Sequence, residues 1–476
     1  MANNTTDGVS GAYRVEKDSL GEVQVPVDAL YGAQTARAIR NFPITGLLPH
    51  PTLVRATVFV KRAAAETNRD LDQLDPKLAD AIITVAERVL AGEHLDEWRV
   101  DPIQAGAGTS HNMNTNEVLA NLANESLGGK RGDYKPVHPN DHVNMAQSTN
   151  DVFPTAMRIA SLLQLRELYP ALDRLQKAFA AKGKEFDQMI KSGRTHLQDA
   201  VPIRLGQEFT AYARTLAKMS RKIEQAADAL RELNIGATAA GTGLNSDPRY
   251  QKNVVAKLSE LTGLDLRPAE HLVEMTQSQY AMSEAHSALK LLALELTRIS
   301  NDLRLMSSGP QTGLAEINLP AVQPGSSIMP GKVNPVMAEM LNMACFQVIG
   351  NDTTITMAVQ AGQFELNVMM PVMAFDMLMS IDILKNAMNV FAEYCVEGIT
   401  ANEDRMRHYV ETSNGLATAL NAYIGYSAAA KVAQENARTG KPIRQIVAEM
   451  GILSPDDLDR ILDPVAMTEP GVPGKH

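Results

Sequence analysis

The sequence has few of the residues that serve redox chemistry or membrane insertion. Its two cysteines, Cys345 and Cys395, form no C-x-x-C pair, so both are predicted to be reduced residues of the core. No uncharged run approaches the length of a membrane span, and Met1 to Ser19 lack the apolar stretch of a secretory signal. We therefore expect a soluble protein of the cytoplasm.

Positive charge is also scarce. Against 55 Asp and Glu there are 45 Lys and Arg, which gives a formal net charge of -10 at pH 7. This balance argues against nucleic acid or an anionic membrane as the main partner.

Motifs for metals and cofactors are incomplete. His138 and His142 are four residues apart, but Pro139 lies between them, and carboxylates or cysteines at zinc spacing are missing from the sequence. The glycine patterns that begin at Gly106 and Gly241 lack the third glycine of a dinucleotide-binding turn. The sequence therefore predicts neither a metal ion nor a cofactor.

Helix-forming residues are abundant instead, and aromatic residues make up only 5% of the chain. Apolar residues recur at alternating steps of three and four in three stretches, residues 216–233, 289–306 and 373–395. Such stripes indicate long helices that pack along their whole length. The methionines of the third stripe are predicted to fill the core, because methionine adapts to irregular gaps.

We predict an all-α fold of three domains. Residues 1–148 read as a mostly helical N-terminal domain and residues 149–403 as a bundle of long helices. Residues 404–476, with shorter helical runs interrupted by prolines, read as a small helical C-terminal domain.

The segment GSSIMPGKVNP, residues 325–335, predicts a mobile loop that closes over a ligand. It is no P-loop, because five residues separate Gly325 from Gly331 and Val333 follows Lys332. It is no hydrolase elbow either, because Met329 occupies the place of the second glycine. Phosphate cradling and the usual serine-nucleophile motifs are thereby disfavoured.

Three further segments concentrate hydroxyl and amide side chains: GAGTSHNMN at 106–114, QSTND at 147–151 and GRTHLQD at 193–199. Any one of them alone is typical of a helix cap or a turn. Together with Lys332 they form an inventory that suits a small carboxylated substrate, because donors and a cation bind carboxylate oxygens.

These segments resemble those of a known family. The loop is similar to the signature loop of the aspartase/fumarase superfamily, and GAGTSHNMNTNEV, QSTNDVFPTA, GRTHLQDAVPIRLGQEF, GATAAGTGLN, NDLRLMSSGP and GQFELNV follow in that family's order. The resemblance implies a lyase with a small dicarboxylate substrate. It also implies a multi-subunit helix bundle in a homotetramer, with composite active sites from three subunits.

Within the superfamily the resemblance favours the aspartate ammonia-lyases over the class II fumarases. Gly108-Thr109-Ser110 and Ser148-Thr149-Asn150 resemble the aspartase pattern, where fumarases usually read G-T-Q and S-S-N. Class II fumarase, or a related lyase with an altered amine or carboxylate preference, remains the alternative. That alternative rests on three departures from the family pattern, at Gln311, Ala338 and Met370.

The resemblance also implies residue roles in a reaction that removes a proton, forms an aci-carboxylate and releases ammonia. Ser326 would be the base, acting as an alkoxide, and His196 would be the second catalytic residue, with Glu339 as its partner. The implied substrate-binding residues are Thr109, Ser148, Thr149, Asn150, Thr195, Ser327, Met329, Lys332 and Asn334. A noncatalytic protein on a lyase scaffold and a hydrolase using Ser326 with His196 are further alternatives.

Overall fold

The computed structural model describes residues 12–475. The sequence predicted that residues 1–19 contain no secretory signal, and the first eleven of these residues lie outside the described range.

The described residues divide into two units. The first contains the residues up to Leu168 together with Arg221–Leu291 and Gln347–Ile383. The second contains Tyr169–Ser220, Leu292–Phe346 and the residues from Leu384 onward. The three-domain division at residues 148 and 403 remains a prediction.

Helices make up most of the chain, which confirms the predicted all-α class. The first four are α1 Ala33–Asn41, α2 Pro51–Asp70, α3 Pro76–Leu90 and α4 Thr109–Ser126. The next seven are α5 Thr149–Glu185, α6 Leu205–Ala227, α7 Tyr250–Thr262, α8 Leu272–Gln277, α9 Tyr280–Met306, α10 Val336–Gln360 and α11 Met370–Tyr394. The last five are α12 Glu403–Thr412, α13 Ala417–Ile424, α14 Tyr426–Thr439, α15 Ile443–Met450 and α16 Pro455–Ile461.

The strands are short and pair two by two. They are β1 Tyr13–Asp18, β2 Gly21–Pro26, β3 Ile190–Thr195, β4 Gln198–Arg204, β5 Glu232–Leu233, β6 Arg267–Pro268, β7 Ile317–Asn318 and β8 Thr400–Ala401. β1 with β2 and β3 with β4 form antiparallel hairpins. Sequence reasoning missed both hairpins, because two isolated strands give too short an alternation of apolar and polar residues to stand out.

Two of the three predicted apolar stripes lie on single long helices. The stripe of residues 289–306 is buried on α9, and that of residues 373–395 is buried along α11 and at Cys395 just after it. The first stripe was predicted too long, because α6 ends at Ala227. Leu230 and Leu233, although buried, lie in a following 3-10 turn and in β5.

The N-terminal helices share an apolar core within the first unit. α3 begins where the Asp75 carboxylate accepts the amides of Lys77 and Leu78, with Pro76 in the first turn, an arrangement that satisfies free helix donors. Trp98 is buried and donates from Nε1 to Thr115 Oγ1 at 2.9 Å. Other members of this core are Leu30, Val54, Val58, Ile82, Val85, Val89, Val118 and Leu119.

The C-terminal helices have a separate core in the second unit. Its buried members include Val410, Leu420, Val432, Ile443, Ile446, Val447, Leu458 and Ile461. Among the helices of residues 12–475, none combines the length and the apolar character that crossing a bilayer requires.

Both cysteines are free and buried, as predicted. Burial raises the pKa of the Cys345 thiol and of the Cys395 thiol to about 12.

Candidate active site

The predicted binding residue Thr109 begins α4, directly after a turn in the left-handed backbone region. Ala107 has a φ of 60° and Gly108 a φ of 83°. A Cβ on Gly108 would lie 2.1 Å from the Phe153 ring, so only glycine fits there. The Ala107 amide donates to the Val368 carbonyl at 2.8 Å. The turn is thus held by its packing against Phe153 and by its bond to Val368. Thr109, which follows it, is exposed.

Ser148, Thr149 and Asn150 lie together at the start of α5, where Asp151 fixes the backbone. One Asp151 oxygen accepts the Ser148 amide at 2.9 Å, and the other accepts the amides of Gly236 at 3.1 Å and Thr238 at 2.9 Å. Burial raises the pKa of Asp151 to about 7, although these backbone donors oppose the shift.

Asn150 is fixed by its own side chain. Its Nδ2 donates to the Ala239 carbonyl at 2.7 Å. This bond sets the orientation of the amide and directs Oδ1 away from that carbonyl, so Oδ1 is available to a ligand donor.

Thr195 and His196 lie in the second unit, at the tip of the β3–β4 hairpin. Thr195 pairs with Gln198, so His196 and Leu197 form a two-residue turn, with φ of 57° and 59°. Asn-Gly usually occupies such a turn, because a left-handed backbone is energetically unfavourable for most other residues. Backbone strain of this kind often marks functional sites, and both predicted residues are exposed here.

A buried carboxylate supports this hairpin by pairing with two cations on β3. Glu316 is fully buried, with Lys191 Nζ at 3.1 Å and Arg194 Nη1 at 2.9 Å. Lys191 Nζ also lies 3.0 Å from Glu208 Oε2. Burial raises the pKa of Glu208, although the ammonium of Lys191 opposes the shift. Glu316 was missed from the sequence, because its partners are more than a hundred residues away along the chain.

The loop of residues 325–335 is closed at its base by two hydrogen bonds. The Gly325 amide donates to the Lys332 carbonyl at 2.8 Å, and Asn334 Nδ2 donates to the Gly325 carbonyl at 2.6 Å. Lys332, Ser327 and Met329 are exposed. The loop borders an open cavity of about 380 Å³.

The hydroxyl of Ser326 points back into this loop. Its Oγ accepts the amides of Ile328 at 3.2 Å and Met329 at 2.9 Å. Two donors on one oxygen favour its ionised form, because hydrogen bonds to a charged group stabilise the charge. The arrangement therefore suits a serine that acts as a base.

Hydrogen bonds join some of the segments that hold the predicted residues, and not others. The segment of residues 148–150 is bonded to α4, the helix that Thr109 begins, because Asn112 Nδ2 donates to Thr149 Oγ1 at 3.2 Å. Within residues 12–475, no hydrogen bond or ion pair joins Thr195 or His196 to the loop. The implied pairing of Glu339 with His196 is likewise not seen, and Glu339 lies 4.0 Å from Arg304.

Comparison with known proteins identifies the family that carries this arrangement. A family model described as lyase matches residues 21–350, and one described as fumarase C C-terminus matches residues 416–469. The aspartate ammonia-lyase of Bacillus subtilis is 53% identical over 464 residues, covering 98% of both chains. That of Escherichia coli strain K12 is 48% identical over 471 residues, again covering 98% of both.

The chain belongs to the aspartase/fumarase superfamily. It is an enzyme of the lyase class, and the resemblance drawn from its motifs is confirmed.

Solved structures of the superfamily share its fold. A fumarate lyase:delta crystallin from Brucella melitensis, bound to cobalt, has a TM-score of 0.94 and 47% identity, covering 96% of this chain and 100% of the other. A class II fumarase from Schistosoma mansoni has the same TM-score and coverage at 38% identity. In the described part of the present chain, no three His, Cys, Asp or Glu side chains are grouped to hold a metal ion.

Two of the three departures from the family pattern occupy packing positions. Ala338 and Met370 are fully buried, and the Ala338 carbonyl accepts a hydrogen bond from Ser300 Oγ at 2.7 Å. A small or apolar side chain is therefore what each site accommodates. Gln311 is exposed, in the segment that follows α9.

Proposed function

We propose that the chain is an aspartate ammonia-lyase, which converts L-aspartate reversibly to fumarate and ammonia. The main support is the identity of 48% to 53% with curated aspartate ammonia-lyases over nearly the whole chain, against 38% with the class II fumarase. The motifs Gly108-Thr109-Ser110 and Ser148-Thr149-Asn150 favour the same choice.

In the proposed mechanism, Ser326 removes the proton next to one carboxylate of the substrate. A free serine is a poor base, but the amides of Ile328 and Met329 donate to its Oγ and stabilise an alkoxide. Closure of the loop over the substrate would expel water and strengthen these bonds. Lys332 and Asn334 would then hold the other carboxylate.

Charge builds up on the first carboxylate as the proton leaves. Thr109, Ser148, Thr149 and Ser327 are proposed to donate to this aci-carboxylate, since fixed donors aimed at developing charge contribute most to such reactions. Thr195, His196 and Asn150 would surround the amine. The orientation of the Asn150 amide supports this role, because its Oδ1 is free to accept from an ammonium.

We infer further that the active enzyme is a homotetramer with composite sites from three subunits. Thr109, Thr195, His196 and Lys332 are exposed in a single chain, where a site that stabilises charge must exclude water. Exposed apolar side chains on the long helices offer surface for assembly. They are Leu291, Leu294 and Leu305 on α9, with Met343, Phe346 and Met357 on α10.

The separate apolar cores of the N-terminal and C-terminal helices support the proposed three-domain organisation. A location in the cytoplasm and the absence of nucleic-acid or membrane partners belong to the same proposal.

The hydrolase alternative with Ser326 and His196 lacks the nucleophile elbow and an assigned third group. Another serine, Ser380, lies beside a histidine and a carboxylate. Ser380 Oγ lies 2.9 Å from His286 Nε2, and His286 Nδ1 lies 3.1 Å from Asp352. These distances match a catalytic triad, but Ser380 and His286 are fully buried, and Asn351 donates to the Ser380 oxygen. A substrate has no access to this serine.

The deciding assay follows the absorbance of fumarate with L-aspartate and L-malate in parallel. We expect fumarate from L-aspartate. Formation from L-malate alone would replace the proposal with the fumarase alternative.

The role of Ser326 is tested by Ser326→Ala. We expect turnover to fall at least ~10²-fold, as for other lost acid-base groups, while the substrate still binds. Ser307→Ala is the matched control, because that hydroxyl donates only to the Arg304 carbonyl. Near-normal turnover of Ser326→Ala would remove this serine from the base role.

A further inference from the structure

A network of buried amides lies behind Thr149 in the first unit. Asn112 and Asn116 project from one face of α4 and are almost fully buried. Lys61 of α2 is fully buried as well, and its Nζ donates to Asn144 Oδ1 and Gln147 Oε1, each at 2.9 Å. Buried polar groups at this density are costly unless they are bonded to one another.

All three donors meet at one oxygen. Asn144 Oδ1 accepts from Lys61 at 2.9 Å, from Asn112 Nδ2 at 3.2 Å and from Asn116 Nδ2 at 3.2 Å. Asn112 Nδ2 makes a second bond, to Thr149 Oγ1 at 3.2 Å. A continuous path of hydrogen bonds therefore runs from the Lys61 ammonium to the Thr149 hydroxyl.

The direction of the last bond decides what Thr149 can do. A hydroxyl has one hydrogen and two acceptor positions. Because Asn112 donates to Thr149 Oγ1, the hydrogen of Thr149 is left to donate elsewhere. A ligand carboxylate has only acceptor atoms, so it requires such a donor.

Lys61 acts on Asn112 only by holding the shared acceptor in place. Its Nζ and Asn112 Nδ2 both donate to Asn144 Oδ1, so the ammonium fixes the position of the oxygen to which Asn112 is bonded. Burial lowers the pKa of Lys61 to about 7, and the carboxylate of Asp151 opposes this shift. The remaining bonds of Asn144 are also satisfied, since its Nδ2 donates to the Gln147 carbonyl at 3.1 Å.

We propose that Asn112 is a positioning residue, which fixes the Thr149 hydroxyl as a hydrogen-bond donor to the substrate carboxylate, with Asn144 and Lys61 holding Asn112 in place. The inference rests on the proposed function, because Thr149 touches the substrate only if the site binds a dicarboxylate.

Asn116 provides a matched control on the same helix. It donates to the same Asn144 oxygen and to Met113 Sδ, but it makes no bond to Thr149. Asn112→Ala is expected to lower kcat/KM about tenfold or more, the cost of one well-placed hydrogen bond. Asn116→Ala is expected to lower it less than about threefold. Equal losses in the two variants would contradict a role exerted through Thr149.

A double-mutant cycle separates positioning from a general loss of structure. In a Thr149→Ala background, Asn112→Ala should have little further effect on kcat/KM, because the group it positions is gone. Effects that multiply in the double variant would overturn the proposal. If Asn112→Ala fails to fold, Asn112→Leu, which is close to asparagine in shape, takes its place in both comparisons.

The cycle also distinguishes this inference from the proposed function. It is measured with whichever of L-aspartate and L-malate the unsubstituted enzyme converts, because both substrates carry the carboxylate that Thr149 would bind. A failure of the aspartate assay therefore leaves the Asn112 comparison intact.

Discussion

His111 is a buried histidine that neighbours this network on α4. It is fully buried, its Nε2 lies 2.9 Å from Thr57 Oγ1, and its ring meets Phe153 edge-on. Burial lowers its pKa to about 4, and the charge of Lys61 adds to the shift. The imidazole is therefore neutral in the folded protein at pH 7.

This shift predicts a loss of stability in mild acid. Between pH 6.5 and 4 the unfolded chain binds a proton at His111 that the folded chain does not bind, so the free energy of unfolding decreases as pH falls. From pH 7 to pH 5 the contribution is about 2 kcal/mol per chain. His111→Leu should lose that much less stability over this interval, as measured by urea unfolding at fixed protein concentration.

His408→Gln is the control, because His408 is exposed. It should follow the unsubstituted protein across the same interval. An identical pH dependence in all three proteins would show that His111 is not the group responsible.

The site residues predicted from the sequence are those that lie within compact motifs. Ser326, Thr149 and His196 stand in segments whose residue types are informative by themselves. Asp151, Asn112 and Lys61 were missed, because their roles depend on partners distant along the chain. The Lys61 bond to Asn144, for example, spans 83 residues. The three asparagines in NMNTN at 112–116 were the available signal, since amides are unusual inside a helix.

At the scale of elements, the β3–β4 hairpin depends on Glu316. This carboxylate is the shared partner of two cations on β3, Lys191 and Arg194. Replacing it by a neutral amide leaves both cations without that charge in a buried site. Removing one partner of a buried ion pair commonly costs about 3 kcal/mol or more.

Glu316→Gln is therefore expected to lower the free energy of unfolding by about 3 kcal/mol. Urea unfolding measures this change. Asp173→Asn, which breaks an exposed pair with Lys177, is the control and should have little effect. If the two variants are equally stable, the buried carboxylate contributes nothing to the hairpin's support.

Apolar patterns in the sequence predict some of the long helices and miss another. α9 and α11 were predicted from their apolar stripes, whereas α5 was not, because Pro154 and Pro170 lie inside it. Pro154 has no amide to bond the Asn150 carbonyl. Asn234 Nδ2, from a distant part of the chain, donates to that carbonyl at 3.4 Å. A tertiary contact thus replaces the missing helical bond, which local sequence cannot reveal.

At the scale of the whole molecule, activity is expected to require assembly. If the sites are composite, separated subunits carry incomplete sites, so specific activity should fall on dilution as the tetramer dissociates. Sedimentation velocity and assay over the same range of concentrations test this. An active monomer would contradict the proposal.

A mixing experiment sharpens the same test. Ser326→Ala and His196→Ala are each expected to have low activity. They should regain activity when unfolded and refolded together, because some sites then combine unaltered residues from different subunits. Each variant refolded alone is the control and should keep its low activity.

Chemical modification of the two buried thiols measures local opening of the folded protein. Cys345 and Cys395 both lie in the second unit, and at neutral pH almost none of either thiol is ionised, since burial raises each pKa to about 12. An alkylating reagent needs an accessible thiolate, so it reacts only while the surrounding helices are parted. The rate of alkylation therefore reports opening of the helices around these two thiols, with no label added to the protein.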